Sequence, residues 1–325
     1  MGCSSSKAEA RKSLRSTIAT AKKELGHGEQ MLRFTRWSQE DERRIGAQST
    51  AGIEFHYGLS GKKLQRKSNQ DRGLAVYPFN GQHDEGLFCV FDGHGHGGEM
   101  LADFCNREIQ GLLQTELLEV TTGVAGDDAI EWYLRRQIMA LDEKIGRHDT
   151  LGHVGEDAGC TCTVVYLRKN TCWVASAGDS RAVVGTRTPR GVQSTDLSRD
   201  HTPDNPEEYG RIRDMGGQIL IAPDGAQRLA IPNRRNSRGV ANSRCIGDFR
   251  YRPYGHIATP EVRQFELEMG DEDADASESR DAFLIIASDG IWQMIGSQQV
   301  RCLVDPPSQH STVPRVCALH SLTQL

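Results

Sequence analysis

Three apolar runs in this chain end on an aspartate that touches a glycine. Leu87 to Phe91 leads into Asp92-Gly93, Cys172 to Ala177 into Gly178-Asp179, and Phe283 to Ser288 into Asp289-Gly290. Short apolar runs bounded by glycine and aspartate read as strands. A carboxylate at the end of a buried strand is held rigidly, and the adjacent glycine lets the backbone turn sharply and present a carbonyl. One such pair is an ordinary turn. Three strand ends that converge would place hard oxygen donors around one cavity, the shell that Mg2+ or Mn2+ prefers. Two such cations close together bridge a water, lower its pKa and present it in line with a phosphoryl group.

Cys162 to Leu167 and Arg181 to Val184 add strands, with Arg168-Lys169-Asn170 as a hairpin turn. Helical spacing appears in Leu101, Cys105, Ile109, Leu112 and Leu117, and again in Ile130, Leu134, Ile138, Leu141 and Ile145. Val313 to Leu322 reads as a last helix, and the run Asp271, Glu272, Asp273, Asp275, Glu278 and Asp281 as a solvated surface loop. Strands cluster with strands, so the expected class is α+β with antiparallel sheets. The longest plainly apolar run, Ala282 to Ala287, falls far short of the ~18 residues of a spanning helix. Hydrophobic residues at 37% suffice for a core, and a net charge of −5 carries no nucleic-acid signature. Nine scattered cysteines, with no C-x-x-C pair and no secretory leader, read as reduced thiols in the cytosol. Cys160 and Cys162 are expected to pack rather than to bind zinc.

Beside the first strand end, Asp92-Gly93-His94-Gly95-His96 supplies a candidate acid in His94, since imidazole is well matched to proton transfer near neutral pH, while His96 reads as a turn residue. Upstream, Arg66-Lys67-Ser68-Asn69-Gln70-Asp71 combines acidic and polar groups with a guanidinium that can grip two phosphate oxygens.

The chain opens Met1-Gly2-Cys3-Ser4-Ser5-Ser6. Glycine second and serine sixth is the pattern for myristoylation of Gly2, and Cys3 is placed for palmitoylation. One myristoyl chain binds only marginally, with a constant on the order of 10⁴ M⁻¹, so a second signal is needed. Through Arg36 eight basic residues face three acidic ones, and Leu14, Ile18, Ala21 and Leu25 fit a basic amphipathic helix. The expected organisation is a basic, lipidated, flexible tail over 1–50 and one domain over 51–325, cytoplasmic, monomeric and attached peripherally to a membrane surface.

The order of motifs resembles the metal-dependent protein serine/threonine phosphatases of type 2C. It is carried by Ser68-Asn69-Gln70-Asp71-Arg72, Val90-Phe91-Asp92-Gly93-His94-Gly95, Gly159-Cys160-Thr161-Cys162-Thr163, Ala177-Gly178-Asp179-Ser180-Arg181-Ala182 and Asp200-His201-Thr202-Pro203. Ala241-Asn242-Ser243-Arg244 with Gly247-Asp248, Ala258-Thr259-Pro260-Glu261-Val262 and Ala287-Ser288-Asp289-Gly290-Ile291-Trp292 follow in the same order. The resemblance implies a sandwich of two antiparallel sheets flanked by helices, with the site in a cleft at one end. It implies hydrolysis of phosphoserine and phosphothreonine in protein substrates by a metal-bound water at a dinuclear Mg2+ or Mn2+ site. Residue by residue, Asp92 would bridge both metals, Gly93 would offer its carbonyl and Asp289 would bind the other metal. Asp71 would support the metal shell, Asp179 a third, weaker cation, Arg66 the phosphate, and His94 would be the general acid. Three departures stand out: Gln70 where many members have glutamate, Gln293 where an aspartate commonly follows the tryptophan, and no Asp-Asn pair between Asp289 and Leu325. The last of these implies a chain incomplete at its C-terminus and without the family's final strand, as a truncation, a shortened isoform or an inactive relative would be. Together the three support the alternative, a catalytically impaired or inactive binding module at a membrane.

Overall fold

The computed structural model describes residues 69–293 except 190, 224, 235–238 and 269–279, together with 296–300. It further gives the backbone of the strands Thr35–Arg36, Ala51–Phe55, Leu59–Ser60, Gln65–Arg66 and Arg315–His320. Gly2, Cys3, the tail helix and the acidic residues 271–278 lie outside the described residues, and Asp281 falls within a strand.

In chain order the principal strands are β1 (Thr35–Arg36), β2 (Ala51–Phe55), β3 (Arg72–Val76), β4 (Glu85–Phe91), β5 (Cys162–Arg168) and β6 (Thr171–Ala177). They continue with β7 (Arg181–Thr188), β8 (Gly191–Asp196), β9 (Glu261–Glu266), β10 (Arg280–Ala287) and β11 (Arg315–His320). Two long helices, α1 (Gly98–Thr121) and α2 (Ile130–Arg147), lie between β4 and β5. One sheet runs β9-β6-β5-β4-β3 and is antiparallel throughout; the other runs β1-β2-β11-β10-β7-β8. In the second sheet β11 lies parallel to both β10 and β2, and the remaining pairs are antiparallel. The α+β class expected from the strand and helix pattern is present, as is the sandwich that the resemblance implied, with the second sheet mixed where an antiparallel one was expected.

Alternation along the strands builds the layers. In β4, Leu87, Cys89 and Phe91 face the helices, while Phe88 and Val90 face the second sheet. In β10, Leu284 and Ile286 point into the sandwich, and Phe283, Ile285 and Ala287 pack on its far side with Ile291 and Trp292. Both faces are buried, so these strands read as unbroken apolar runs. Helix α1 lays Leu101, Cys105, Ile109, Leu113 and Leu117 against the first sheet, and α2 adds Ile130, Leu134, Ile138, Leu141 and Ile145. Cys160 and Cys162 are buried in the same core, as packing required. Among the described residues no helix is long and apolar enough to cross a membrane.

The helix expected over Val313 to Leu322 is not formed: 315–320 is strand β11, in register from Phe283↔Arg315 to Ala287↔Leu319. A short apolar run satisfies either periodicity. Here β10 and β2 offer backbone partners on both sides, which a helix would leave unpaired.

Candidate active site

The first and third aspartates sit at the same end of the sandwich. Asp92 follows β4, and Asp289 opens the short helix Asp289–Trp292 after β10. Asp71 precedes β3, and Asp179 lies in the turn between β6 and β7. Asp92 is hydrogen-bonded to Asp71 and to Asp289, and the Ser288 hydroxyl donates to Asp71 Oδ2 at 3.1 Å. Carboxyl groups in such contact need protons or cations between them. Burial, then the charges of Asp71, Asp289 and Asp179, hold the Asp92 carboxyl well above the usual carboxylate range. Burial, with Asp289 and Asp200 nearby, pushes Asp179 up to about 7. Asp71 and Asp289 are raised as well, by burial first. An all-oxygen set whose members destabilise one another's charge fits a hard divalent cation, which would relieve that repulsion.

Backbone clamps hold the cluster. Thr161 N–H donates to the Asp92 carbonyl at 2.9 Å while its Oγ1 accepts from Asp92 N at 3.0 Å, and that hydroxyl meets Ser180 Oγ at 2.7 Å. Strand ends from β4, β5 and the β6–β7 turn are thereby locked together. Gly178, at φ 124°, leaves no room for a side chain: a Cβ there would stand 2.6 Å from Thr161 Cγ2. At Gly93 a Cβ would stand 2.7 Å from both the Gln70 and Gly98 carbonyl oxygens. Arg181 forks onto Asp200 at 2.9 and 2.7 Å and stacks over Trp292, tying β7 to the helix that carries Asp289.

His94 is positioned by a three-stranded ladder in which Gly93–His94 pairs with Gly159–Cys160, and that with Ile246–Gly247. The ladder brings His94 Nε2 to 2.7 Å from Asp248 Oδ2, across 154 residues of chain. A carboxylate only accepts, so Nε2 carries a proton and Nδ1 is the nitrogen free to exchange one. Burial opposes charge on His94, but Asp248 outweighs it and raises the imidazole pKa, with Asp179 and Asp289 adding to the effect. Asp248 is 1% exposed; burial works against its charge, yet His94 draws it down to about 2. Cys245 Sγ donates to the same Oδ2 at 3.3 Å.

The segment carrying Asp248 is anchored at Glu208, a fully buried carboxylate. Arg244 donates to its Oε1 at 2.6 Å, Ser243 to its Oε2 at 2.5 Å, and Arg211 spans both oxygens. Asp248, Asp200 and Arg244 lie within the motifs without a role the sequence assigns. Asp248 stands out locally as a charged residue after Ile246-Gly247, whereas Asp200 and Arg244 are set among other polar residues and carry no local signal.

Of the residues singled out in the sequence, Asp71, Asp92, Gly93, His94, Asp179 and Asp289 are brought to one end of the sandwich. Arg66 lies in the strand Gln65–Arg66, and its side chain is outside the described residues. Gln70 Nε2 donates to Glu99 Oε2 at 2.6 Å and to the Gly95 carbonyl at 2.9 Å, and Gln293 Nε2 donates to Asp289 Oδ2 at 2.5 Å. His96 is exposed.

Comparison with known proteins places these features in a family context. A family profile described as Protein phosphatase 2C matches residues 55–318. Probable protein phosphatase 2C 72 of Arabidopsis thaliana is 33% identical over 242 residues, covering 73% of this chain and 69% of the relative. Probable protein phosphatase 2C 64 of Oryza sativa subsp. japonica is 31% identical over 274 residues, covering 82% of this chain but 58% of its own length. A solved serine-threonine phosphatase 2C from Toxoplasma gondii superposes with a TM-score of 0.62 at 22% identity, covering 76% of this chain and 80% of that one, a likeness of fold.

Proposed function

Because the chain belongs to the protein phosphatase 2C family, we propose that it hydrolyses phosphoserine and phosphothreonine in proteins with the aid of Mg2+ or Mn2+. The observation that carries this reading is the convergence of Asp71, Asp92, Asp179 and Asp289: all four carboxyls are raised, by burial first, and the charges of the other three raise Asp92 further. Asp92, the Gly93 carbonyl and Asp289 would hold a pair of cations, Asp71 would steady Asp92, and Asp179 would face a third. When bound, such cations supply Lewis-acid polarisation of the phosphoryl group and acidify the attacking water.

The chain's own residues do the rest. Arg66, four residues before Gln70, grips two phosphate oxygens and orients the ester. His94 gives its Nδ1 proton to the departing serine or threonine oxygen, and the Asp248 carboxylate stabilises the imidazolium and holds the proton on Nε2. Phosphopeptide hydrolysis with Mn2+ tests the assignment against Asp92→Asn. Equal turnover by the two proteins would overturn it.

A second reading, a binding module that keeps the fold with little catalysis, is favoured by Gln70 and Gln293. An amide stands where the family often has a carboxylate, and the Gln293 amide occupies one Asp289 oxygen. Mn2+ affinity decides between them: an active enzyme binds Mn2+ and loses that binding in Asp92→Asn, and a module binds phosphopeptide without turnover.

The Gly2 and Cys3 motif supports acylation and residence on a membrane surface, helped by the basic residues through Arg36. Membrane partitioning of Gly2→Ala is the test, and unchanged partitioning would remove the claim.

A further inference from the structure

We propose that His94, Cys245 and Asp248 form a second cation site, specific for a thiophilic divalent ion of the zinc class and distinct from the aspartate cluster. Their donor atoms already lie close together: Nε2 to Oδ2 at 2.7 Å, Sγ to Oδ2 at 3.3 Å and Sγ to Nε2 at 3.9 Å. All three ligand atoms lie within 4.8 Å of one another. A tetrahedral zinc ion with bonds of about 2.0–2.3 Å sets its nitrogen, oxygen and sulfur donors roughly 3.3–3.6 Å apart. The set needs side-chain rotations that open the Nε2–Oδ2 pair by about 0.6 Å and move the sulfur by about 0.2–0.3 Å.

Charge favours occupancy. Two hydrogen-bond donors, Nε2 and Sγ, converge on one carboxylate oxygen. A divalent ion bound by imidazole, thiolate and carboxylate is neutral overall, so the occupied site carries no net charge in a low-dielectric setting. Asp248 Oδ1 is buried without a hydrogen-bond partner, as are both ring nitrogens of the fully buried His256. The His94 side chain, 31% exposed, provides the way in.

A thiolate with imidazole and one carboxylate suits zinc and rejects magnesium, which demands oxygen donors. The aspartate cluster has the opposite preference. Occupancy also has a consequence, which rests on the catalytic reading of His94 given above: an imidazole coordinated through Nε2 is no longer an acid at neutral pH. The ion would act as an inhibitor that removes the proton donor while leaving the Mn2+ site filled.

Co2+ provides the probe, because only thiolate ligation gives a near-ultraviolet sulfur-to-cobalt charge-transfer band. The full chain, saturated with Mn2+, is titrated with Co2+ and then Zn2+, alongside Cys245→Ser. The expected result is a band that Zn2+ abolishes and that Cys245→Ser lacks. Zn2+ half-inhibition of Mn2+-dependent turnover, relative to each protein's own uninhibited rate, should rise at least ~10-fold in Cys245→Ser. Asp248→Asn, which keeps the thiol, should weaken Co2+ binding by a similar factor. No band in the wild type, or a band that survives in Cys245→Ser, overturns the site. A band in a wild type that shows no turnover leaves the site standing and defeats the phosphatase reading instead.

Discussion

Replacing Asp248 by asparagine tests the proton donor directly. The substitution keeps shape and a hydrogen-bond acceptor but removes the charge 2.7 Å from His94 Nε2. Hydrogen bonds to a charged group contribute about 1.5–3 kcal/mol, and with His94 open to the cleft on one side the pair stays within that range. If that stabilisation is realised as the imidazolium forms and spends its proton, the loss in kcat is about 10- to 150-fold. The pH dependence has a sign. Asp248 raises the His94 pKa against burial, so without it burial prevails and the imidazolium persists only to lower pH. The alkaline limb of kcat/KM for a phosphopeptide, followed across about pH 5 to 8, should move toward acid. Asp179 and Asp289 also raise His94, but bound cations would neutralise them, which leaves Asp248 as the partner that persists. A substrate with an activated leaving group such as p-nitrophenol needs no proton, so the defect should shrink there. An unmoved alkaline limb, or an equal loss on both substrates, would refute the assignment.

Stability should respond to the aspartate cluster in the opposite sense from ordinary carboxylates. Asp179 titrates near 3.8 when unfolded and about 7 when folded, so its contribution is full below the first value and lost as pH rises through the second. In chelator, the Tm should fall between those pH values, recover with Mn2+, and rise in Asp179→Asn by about 2–4 °C per kcal/mol gained; a flat Tm would contradict this. Glu208→Gln leaves two arginines facing a neutral buried group and should destabilise by about 3–5 kcal/mol in denaturant unfolding. Because the Glu208 pKa is depressed by its arginine and serine partners against burial, its contribution is present above 4.5 and lost toward acid, so the variant should lose part of the acid sensitivity. Gly93→Ala places a methyl against two backbone carbonyls and should cost about 1–3 kcal/mol as well as turnover, read by thermal melting and phosphopeptide assay.

Much of the architecture was readable because it is written in local terms. The two long helices follow from apolar spacing in 101–117 and 130–145, and the central strands from apolar runs closed by glycine and aspartate. The segment 315–320 is not legible in the sequence because its run is too short to choose a period, and backbone partners supplied from β10 and β2 decide it. Asp92, Asp179 and Asp289 announced themselves by ending strands.

By itself, then, the sequence determined which segments are strands and helices, and which carboxylates stand at their ends, because those properties depend on neighbours a few residues away. Only the tertiary structure decided which ends meet. It set Ser288 against Asp71 across 217 residues and His94 against Asp248 across 154, and it brought Cys245 to the same oxygen. Those distances follow from strand pairing and from the packing of two sheets and two helices, where each pairing is decided by apolar area buried over the whole sandwich and not by the residues that end up in contact.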